Sequence, residues 1–359
     1  MPIKVVMPDL QPGWVGGVRY LSTIRAGIDQ LEAEGFIEVL RWPKVSFDND
    51  KSRYKFGLRN AVTFSFDAIR SIRGINLPRP MSPFSRKSLA WIPDLQDVER
   101  PEFFSNSELI RREKLRKRYL EKRYAFIFSS RNALDVFNSI GYTEPLIAGI
   151  LRFATNFSIE NENAASNLKC EGCREEGFFY LPNQWWVHKN HELALKSFLE
   201  YQLSGGKKHL VLTGSEFDSR WRGYSADYLF SKINLRNVHR MGLVDRTLQR
   251  ELYFGSKAVL QPSRYEGWST TIEEALSCGT PIIASNIPTN IEQLIDCPDS
   301  IVLRANTVND FVEALHSPPK RLNRSEISFR NAERWQRFIQ DLKTVVSVGE
   351  YLTGEGKVK

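Results

Sequence analysis

Long apolar runs are missing from this 359-residue chain. The longest, such as Ile147 to Leu151, falls far short of the roughly 20 residues that a membrane-spanning helix needs, so an integral membrane protein is not expected. Mean hydropathy, at −0.37, agrees. Cysteine is scarce, with four residues in all, too few to staple a fold of this length. Only Cys170 and Cys173 lie close together, as C-E-G-C. A tetrahedral zinc site would need two further ligands, and the neighbouring sequence offers none at suitable spacing, so a pair of reduced linker thiols is expected. The amino terminus lacks the separate basic, apolar and small-residue regions of a secretion signal, which makes the cytoplasm the expected location. Repeats of 20 to 50 residues and low-complexity tracts are also missing, which excludes solenoids and disordered tails.

What is present is the composition of an ordinary folded protein, 42% hydrophobic and 26% charged, with enough length for two domains. The net charge of +8 is uneven. Residues 1 to 150 hold 24 Lys plus Arg against 17 Asp plus Glu, whereas the remainder hold 26 against 25. Much of the excess lies in Arg111 to Arg123, RREKLRKRYLEKR, where Leu115, Tyr119 and Leu120 recur at helical spacing and leave a basic outer face. Such a face suits a solvated helix, and its one-signed field also suits an anionic membrane surface or a polyanion. Nucleic acid is not expected as a partner, because the aromatic residues are not interleaved with the basic run and no recognition motif occurs.

Apolar runs of strand length alternate with helical periodicity along the chain. The strand-like runs include Ile3 to Met7, Ala61 to Phe66, Leu89 to Ile92, Ala125 to Ser129, Gly177 to Leu181, His209 to Thr213, Ala258 to Gln261 and Pro281 to Ala284. Helical stretches such as Val18 to Glu34, His191 to Tyr201, Asp245 to Phe254 and Thr271 to Ser277 fill most gaps. The alternation predicts an α/β protein with parallel sheets wrapped by helices. The pattern lapses into a polar stretch rich in Asn and Glu, which sets a first domain at 1–155, a linker at 156–176 and a second domain from 177.

The most informative segment is Pro262 to Glu292, PSRYEGWSTTIEEALSCGTPIIASNIPTNIE. A strand ends at Gln261, a loop carries Glu266, Gly267, Trp268 and Ser269, and a helix begins near Thr271. Strand carboxyl ends facing helix amino termini form the crevice where open α/β sheets bind ligands. Unbonded backbone N–H groups there, with the Ser269 and Thr270 hydroxyls, make an anion site suited to a diphosphate, and Gly267 allows close approach of a ligand to the backbone. Glu274, eight positions after Glu266, would sit one turn into the helix, within reach of a ribose diol. Taken singly, each glutamate also suits an exposed surface acid.

This setting, PSxxEGW followed by EAxxCGTPIIAS with Glu266 and Glu274 separated by seven residues, resembles the retaining glycosyltransferases of family 4. The resemblance implies the GT-B architecture: two Rossmann-like doubly wound domains across a cleft, here an acceptor-side domain at 1–155 and a nucleotide-sugar domain at 177–325. It also implies a final helix, in 326–359, that crosses back to the first domain. It gives Glu266 a place beside the reacting sugar, Glu274 the nucleotide ribose, and Ser269 and Thr270 the diphosphate. Tyr180 to Phe198, YLPNQWWVHKNHELALKSF, supports it, because Lys189 near a helix start matches a lysine that contacts the donor diphosphate in a subgroup of the family. Many members carry an arginine six residues before that lysine, and Asn183 stands there instead. Trp185, Trp186, His188 and His191 suit structural roles as loop anchors. In the first half, Gly16 and Gly17 of QPGWVGGVRY match a loop that faces the donor phosphates in the family. Many members have His-Asp where Pro93 and Asp94 stand, leaving Asp94 as the polar candidate at that strand end, or as a helix cap.

The implied reaction is retaining transfer of a sugar from a nucleotide-diphosphate donor to a saccharide or lipid-linked acceptor, as in cell-surface polysaccharide synthesis. The protein would sit in the cytoplasm or peripherally at the inner membrane face. The leaving diphosphate would take the acceptor's proton, with Lys189, Ser269, Thr270 and the helix terminus stabilising it, so neither cofactor nor metal is expected. A GT-B nucleotide-sugar epimerase and a catalytically degenerate donor-binding partner or membrane scaffold remain alternatives.

Overall fold

A computed structural model describes residues 2–7, 15–41, 75–76, 88–155, 172–218, 223–298 and 302–354. The expected strand at Ala61 to Phe66 lies outside them. In chain order the elements are β1 (Ile3–Met7), α1 (Val15–Ala33), β2 (Ile37–Arg41), β3 (Ile75–Asn76), β4 (Leu89–Ile92), α2 (Gln96–Glu99), α3 (Asn106–Glu121), β5 (Ala125–Phe128), α4 (Arg131–Ser139) and β6 (Ile147–Ile150). They continue with α5 (Cys173–Glu176), β7 (Phe178–Leu181), α6 (His191–Leu203), β8 (His209–Leu212), α7 (Ala226–Phe230), β9 (Val238–Arg240), α8 (Arg246–Gly255), β10 (Val259–Gln261) and α9 (Thr270–Ser277). Last come β11 (Ile282–Ser285), α10 (Pro288–Leu294), β12 (Val302–Ala305), α11 (Val308–His316) and α12 (Arg324–Gly354). Every ladder between these strands is parallel, as the alternating pattern predicts. No described helix is long and apolar enough to cross a membrane.

The chain divides into two compact units, one of Met1–Leu95, Ser107–Phe153 and Gln336–Lys359, the other of Gln96–Asn106 and Ala154–Trp335. In the first unit the described strands form two parallel sheets, ordered β2-β1-β3 and β4-β5-β6. β5 is AFIF and buried throughout, because both faces are covered. On one face Phe126 and Phe128 pack against Phe137 of α4. Tyr20 of α1 stacks on Trp91 of β4 at 4.0 Å and donates its hydroxyl to the Leu151 carbonyl at 2.9 Å. The carboxyl-terminal part of α12 packs closely enough on α1 that a Cβ on Gly27 would lie 2.7 Å from Phe338. Arg152 and Asp341 join by a bidentate pair at 3.0 Å. The basic run forms α3 with Lys114, Lys117 and Arg118 exposed, but its apolar side is not as the spacing predicts. Leu115 is exposed, whereas Arg116 is buried and donates to the Tyr142 hydroxyl at 3.3 Å, an aliphatic stem being able to line a core while its head finds a partner.

The second unit holds one six-stranded sheet, ordered β12-β11-β10-β7-β8-β9. Alternate residues of its strands feed two separate cores. Phe178, Tyr180, Val211, Val259 and Ile282 pack with Leu252 and Tyr253 of α8 and Ile272 and Ala275 of α9. Phe179, Leu181, Leu210, Leu260 and Ile283 pack on the opposite face with Leu195 and Phe198 of α6 and Phe311 and Leu315 of α11. Buried apolar area contributes about 25 cal/mol per Å², so strands with apolar residues on both faces are the most strongly held. The reading of Cys173 as a reduced thiol is corrected: it is disulfide-bonded, while Cys278 and Cys297 are free. Gly172, directly before Cys173, adopts the left-handed φ of 75° that glycine tolerates.

Candidate functional site

The strand order of the second unit reverses between β7 and β10, which lie side by side although Val259 follows Leu181 by 78 positions. Loops leaving the carboxyl ends of two such strands diverge and leave a crevice between them. Here the loop after β7 carries Asn183 and Lys189, and the loop after β10 carries Glu266 to Ser269. The two loops are stitched together by backbone. The Arg264 N–H donates to the His188 carbonyl at 2.7 Å, and the Asn190 side chain donates to the Pro262 carbonyl at 3.1 Å. Asn190 takes φ 56° and ψ 43°, a left-handed turn that asparagine tolerates better than most residues, and α6 starts immediately after it.

Lys189 and Glu266 meet at the centre, with Nζ 2.6 Å from Oε1, and their side chains are only 14% and 7% exposed. Removing two charges from water is costly unless each finds the other and further hydrogen bonds. Those bonds are supplied by Gln261 at the end of β10, fully buried, whose Nε2 donates to Glu266 Oε1 at 2.7 Å, to Ser263 Oγ at 3.1 Å and to Ser269 Oγ at 3.0 Å. Its Oε1 accepts from Asn183 Nδ2 at 2.9 Å, and Asn183 Oδ1 accepts from the Thr271 hydroxyl at 3.2 Å. Asn183 is thus a buried link in a polar network, 3% exposed.

The helix start is also built in detail. Ser269 is the N-cap of α9, its hydroxyl accepting from the Ile272 N–H at 3.3 Å and its own N–H donating to Gln293 Oε1 at 3.0 Å. This fixes the first turn and leaves the Thr270 amide without a partner among the described residues, in a position where the helix dipole favours an anion. Gly267 and Trp268 are half-buried on the same loop. The exposed-acid reading of Glu266 and Glu274 does not hold, since the residues are 7% and 0% exposed. Glu274 accepts from Arg246 Nη1 at 2.6 Å and from the Tyr253 hydroxyl at 2.8 Å. Arg246 itself keeps 47% of its side chain exposed.

The aromatic and histidine residues around Lys189 serve as anchors. Trp185 is buried and stacks on His191 at 4.2 Å. Burial pushes the His191 imidazole down to about 3, and its Nε2 lies 3.2 Å from the Asn183 carbonyl. A cavity of about 590 Å³ opens beside the same loops, with Val187, Asn190, Tyr224 and Arg264 in its wall.

Lys189, Asn183, Glu266, Gly267, Trp268, Ser269, Thr270 and Glu274 all belong to the second unit. The remaining candidates belong to the first. Gly16 and Gly17 fall in the first turn of α1. Asp94 follows β4, with its carboxylate 3.8 Å from Arg112. The single Asp-x-Asp triplet in the sequence, Asp48-Asn49-Asp50, lies outside the described residues. Sequence reasoning missed Gln261, Gln293, Arg246 and Tyr253. Gln261 had a signal, a polar residue closing an apolar strand, whereas Arg246 and Tyr253 reach Glu274 only through the fold.

Known proteins resemble this chain in part of its sequence and in its fold. Residues 178–320 match the model of the family Glycosyl transferases group 1. Sucrose synthase of Acidithiobacillus caldus is 31% identical over 121 residues, which covers 30% of this chain and 15% of that protein's own length. Among solved structures, Alr3699/HepE of Anabaena, in complex with UDP and glucose, has a TM-score of 0.60 at 13% identity, covering 98% of this chain and 99% of that one. A trehalose 6-phosphate synthase of Burkholderia multivorans gives 0.59 at 10% identity over 99% and 100% of the two chains. Sucrose-phosphate synthase of Thermosynechococcus elongatus gives 0.58 at 15% over 99% and 97%. At these identities the likeness shows the fold, the α/β GT-B architecture of two Rossmann-like domains.

Proposed function

We propose that this chain, whose residues 178–320 match the group 1 glycosyltransferases, transfers a sugar with retention from a nucleotide-diphosphate donor to a saccharide or lipid-linked acceptor. The observation that carries the reading is the buried Lys189–Glu266 pair at the strand-order reversal, beside a capped helix start with an unpartnered amide. A lysine with its charge committed to a carboxylate is poised for exchange: a donor diphosphate would take the Nζ, and Glu266 would turn to the sugar's hydroxyls. Lys189 and the α9 amino terminus then stabilise the charge that develops on the leaving diphosphate. In front-face transfer the diphosphate oxygen accepts the acceptor's proton, so the protein positions and stabilises, and neither a metal nor a cofactor is required.

Glu274 is read as the ribose ligand, with Arg246 moving aside or bridging to the nucleotide. Gly16 and Gly17 are read as donor-binding residues and Asp94 as a catalytic one, on the family resemblance alone. Working at the inner face of a membrane on a lipid-linked acceptor is supported by the exposed lysines of α3 and the positive excess of the first 150 residues. UDP-sugars are the first donors to try, because Alr3699/HepE of Anabaena was solved with UDP and glucose.

The test is thermal unfolding of the purified chain against a panel of nucleoside diphosphates and their sugars. At about 100 times Kd a true donor adds about 2.7 kcal/mol of stability, a clear rise in Tm. No shift with any of them would overturn the reading. Donor binding without transfer to any acceptor would point to a catalytically degenerate partner, and sugar interconversion without acceptor to an epimerase.

A further inference from the structure

At the amino end of the second sheet, away from the strand-order reversal, three metal-ligating side chains converge that have no place in glycosyl transfer. Cys173 opens α5, His209 opens β8, and His239 lies in the edge strand β9. Their ligand atoms lie within 4.8 Å of one another, and Cys173 and His209 are 3% and 6% exposed. His209 Nδ1 faces His239 Nε2 at 2.8 Å. Two imidazole nitrogens aimed at each other need either a proton between them or a cation. A carboxylate lies on the other side of His209, with Glu176 Oε2 3.6 Å from Nε2. A carboxylate behind a histidine is the usual outer shell of a histidine metal ligand. Gly172 completes the arrangement, because a Cβ there would lie 2.6 Å from His209 Nε2, so only glycine lets the chain descend on this ring directly before Cys173.

We propose that, when its disulfide is reduced, Cys173 joins His209 and His239 in binding a divalent cation of the zinc class, fastening α5 to β8 and the edge strand β9. Thiolate and imidazole at a closed site are the ligands zinc prefers, in a tetrahedron whose ligand atoms stand roughly 3.3 to 3.8 Å apart for bonds of about 2.0 to 2.3 Å. The present spacings reach that with side-chain shifts of about 1 Å. Opening the disulfide takes two electrons and two protons from a dithiol reductant, which is itself oxidised to a disulfide. The Cys173 thiol then releases its proton to solvent as the cation binds.

The experiment uses the full chain, treated with a dithiol reductant, freed of the reductant under inert gas and titrated with zinc against a chelating dye, then with cobalt(II) followed by visible absorption. About one equivalent of zinc and the strong d–d and thiolate charge-transfer bands of tetrahedral cobalt are expected. Cys173→Ser should abolish the charge-transfer band contributed by its thiolate, His239→Ala should weaken zinc binding at least tenfold, and Glu176→Gln should weaken it about tenfold. Circular dichroism of each variant checks folding, and nucleoside-diphosphate binding should stay within twofold of the parent. Absence of zinc binding by a folded, reduced chain would overturn the proposal. So would zinc binding unchanged in both Cys173→Ser and His239→Ala, or a disulfide that survives the reductant.

Discussion

The two ends of the six-stranded sheet gather their polar side chains in opposite ways. At the carboxyl end, most of the polar groups come from one continuous stretch, Gln261 to Gln293, and the loop after β7 adds Asn183 and Lys189. At the amino end, Cys173, His209 and His239 come from three separate stretches, the start of α5 and the strands β8 and β9. The first end is dense with hydrogen bonds converging on one carboxylate, and the second has two imidazoles facing each other and one carboxylate behind them. The difference teaches that a site specified by local chain is announced by sequence, while a site specified by strand register becomes visible only once β8 and β9 are paired.

The sharpest way to test that contrast is to remove one member of the central ion pair. Lys189→Ala strands Glu266 in a buried setting and should cost about 3–5 kcal/mol of unfolding free energy, read by denaturant titration. If the proposed transfer operates, it should also cost about 10²–10³-fold in kcat, the loss seen when one charge-stabilising donor is removed. A Lys189→Met, Glu266→Gln double variant should recover much of the stability and none of the activity.

The next effect is pH dependence at the carboxyl end. His191 is neutral in the fold, with its pKa lowered to about 3 by burial, against about 6.5 in the unfolded chain. Below about 6.5 the unfolded chain therefore binds a proton that the folded one does not. Stability should fall by about 1.4 kcal/mol for each pH unit between about 6.5 and about 3, or about 2.7 kcal/mol by pH 4.5. Comparing urea midpoints of the parent and His191→Gln across that range checks it, the variant lacking this slope.

Smaller losses should follow from the hub and the ribose candidate. Gln261→Leu leaves Glu266 and Asn183 short of partners and should cost about 1–3 kcal/mol. Glu274→Ala should weaken nucleotide binding about tenfold by calorimetry, and equal affinity in parent and variant would remove Glu274 from the donor site. The smallest effect expected is that of Cys173→Ser on nucleotide affinity, less than twofold, since that residue belongs to the other end. A large effect there would mean that the two ends are coupled.

Much of the fold was legible because its parallel strands are apolar on both faces and so read as short uninterrupted runs, FFYL at β7 and IIAS at β11 among them. The helix after Gln261 was legible because Ser269, Thr270 and Thr271 mark a start and Gly279, at φ 59°, marks an end. The acids of that helix were readable as residue types but not as buried ones, because their partners, Arg246, Tyr253 and Gln293, are set by packing of α8 and α10 against α9. Leu115 misled for the same reason: helical spacing predicts a face without saying which flank a neighbour covers. Of the zinc-class cluster only Cys173 stood out in the sequence, and its two histidines sit at strand positions that only the β8–β9 ladder brings together.

The hydrogen bonds from Thr271 through Asn183 and Gln261 to Glu266 all run in one direction, each donor pointing toward the carboxylate. Turning either amide over would put two acceptors or two donors nose to nose, so the string has a polarity. A charge appearing or vanishing near Glu266, by ligand arrival or by ion-pair exchange, is therefore felt along its whole length. The side-chain amide resonances of Gln261 and Asn183 should consequently act as built-in spectroscopic reporters of events at the carboxylate, observable by nitrogen-15 NMR without any label placed in the crevice itself.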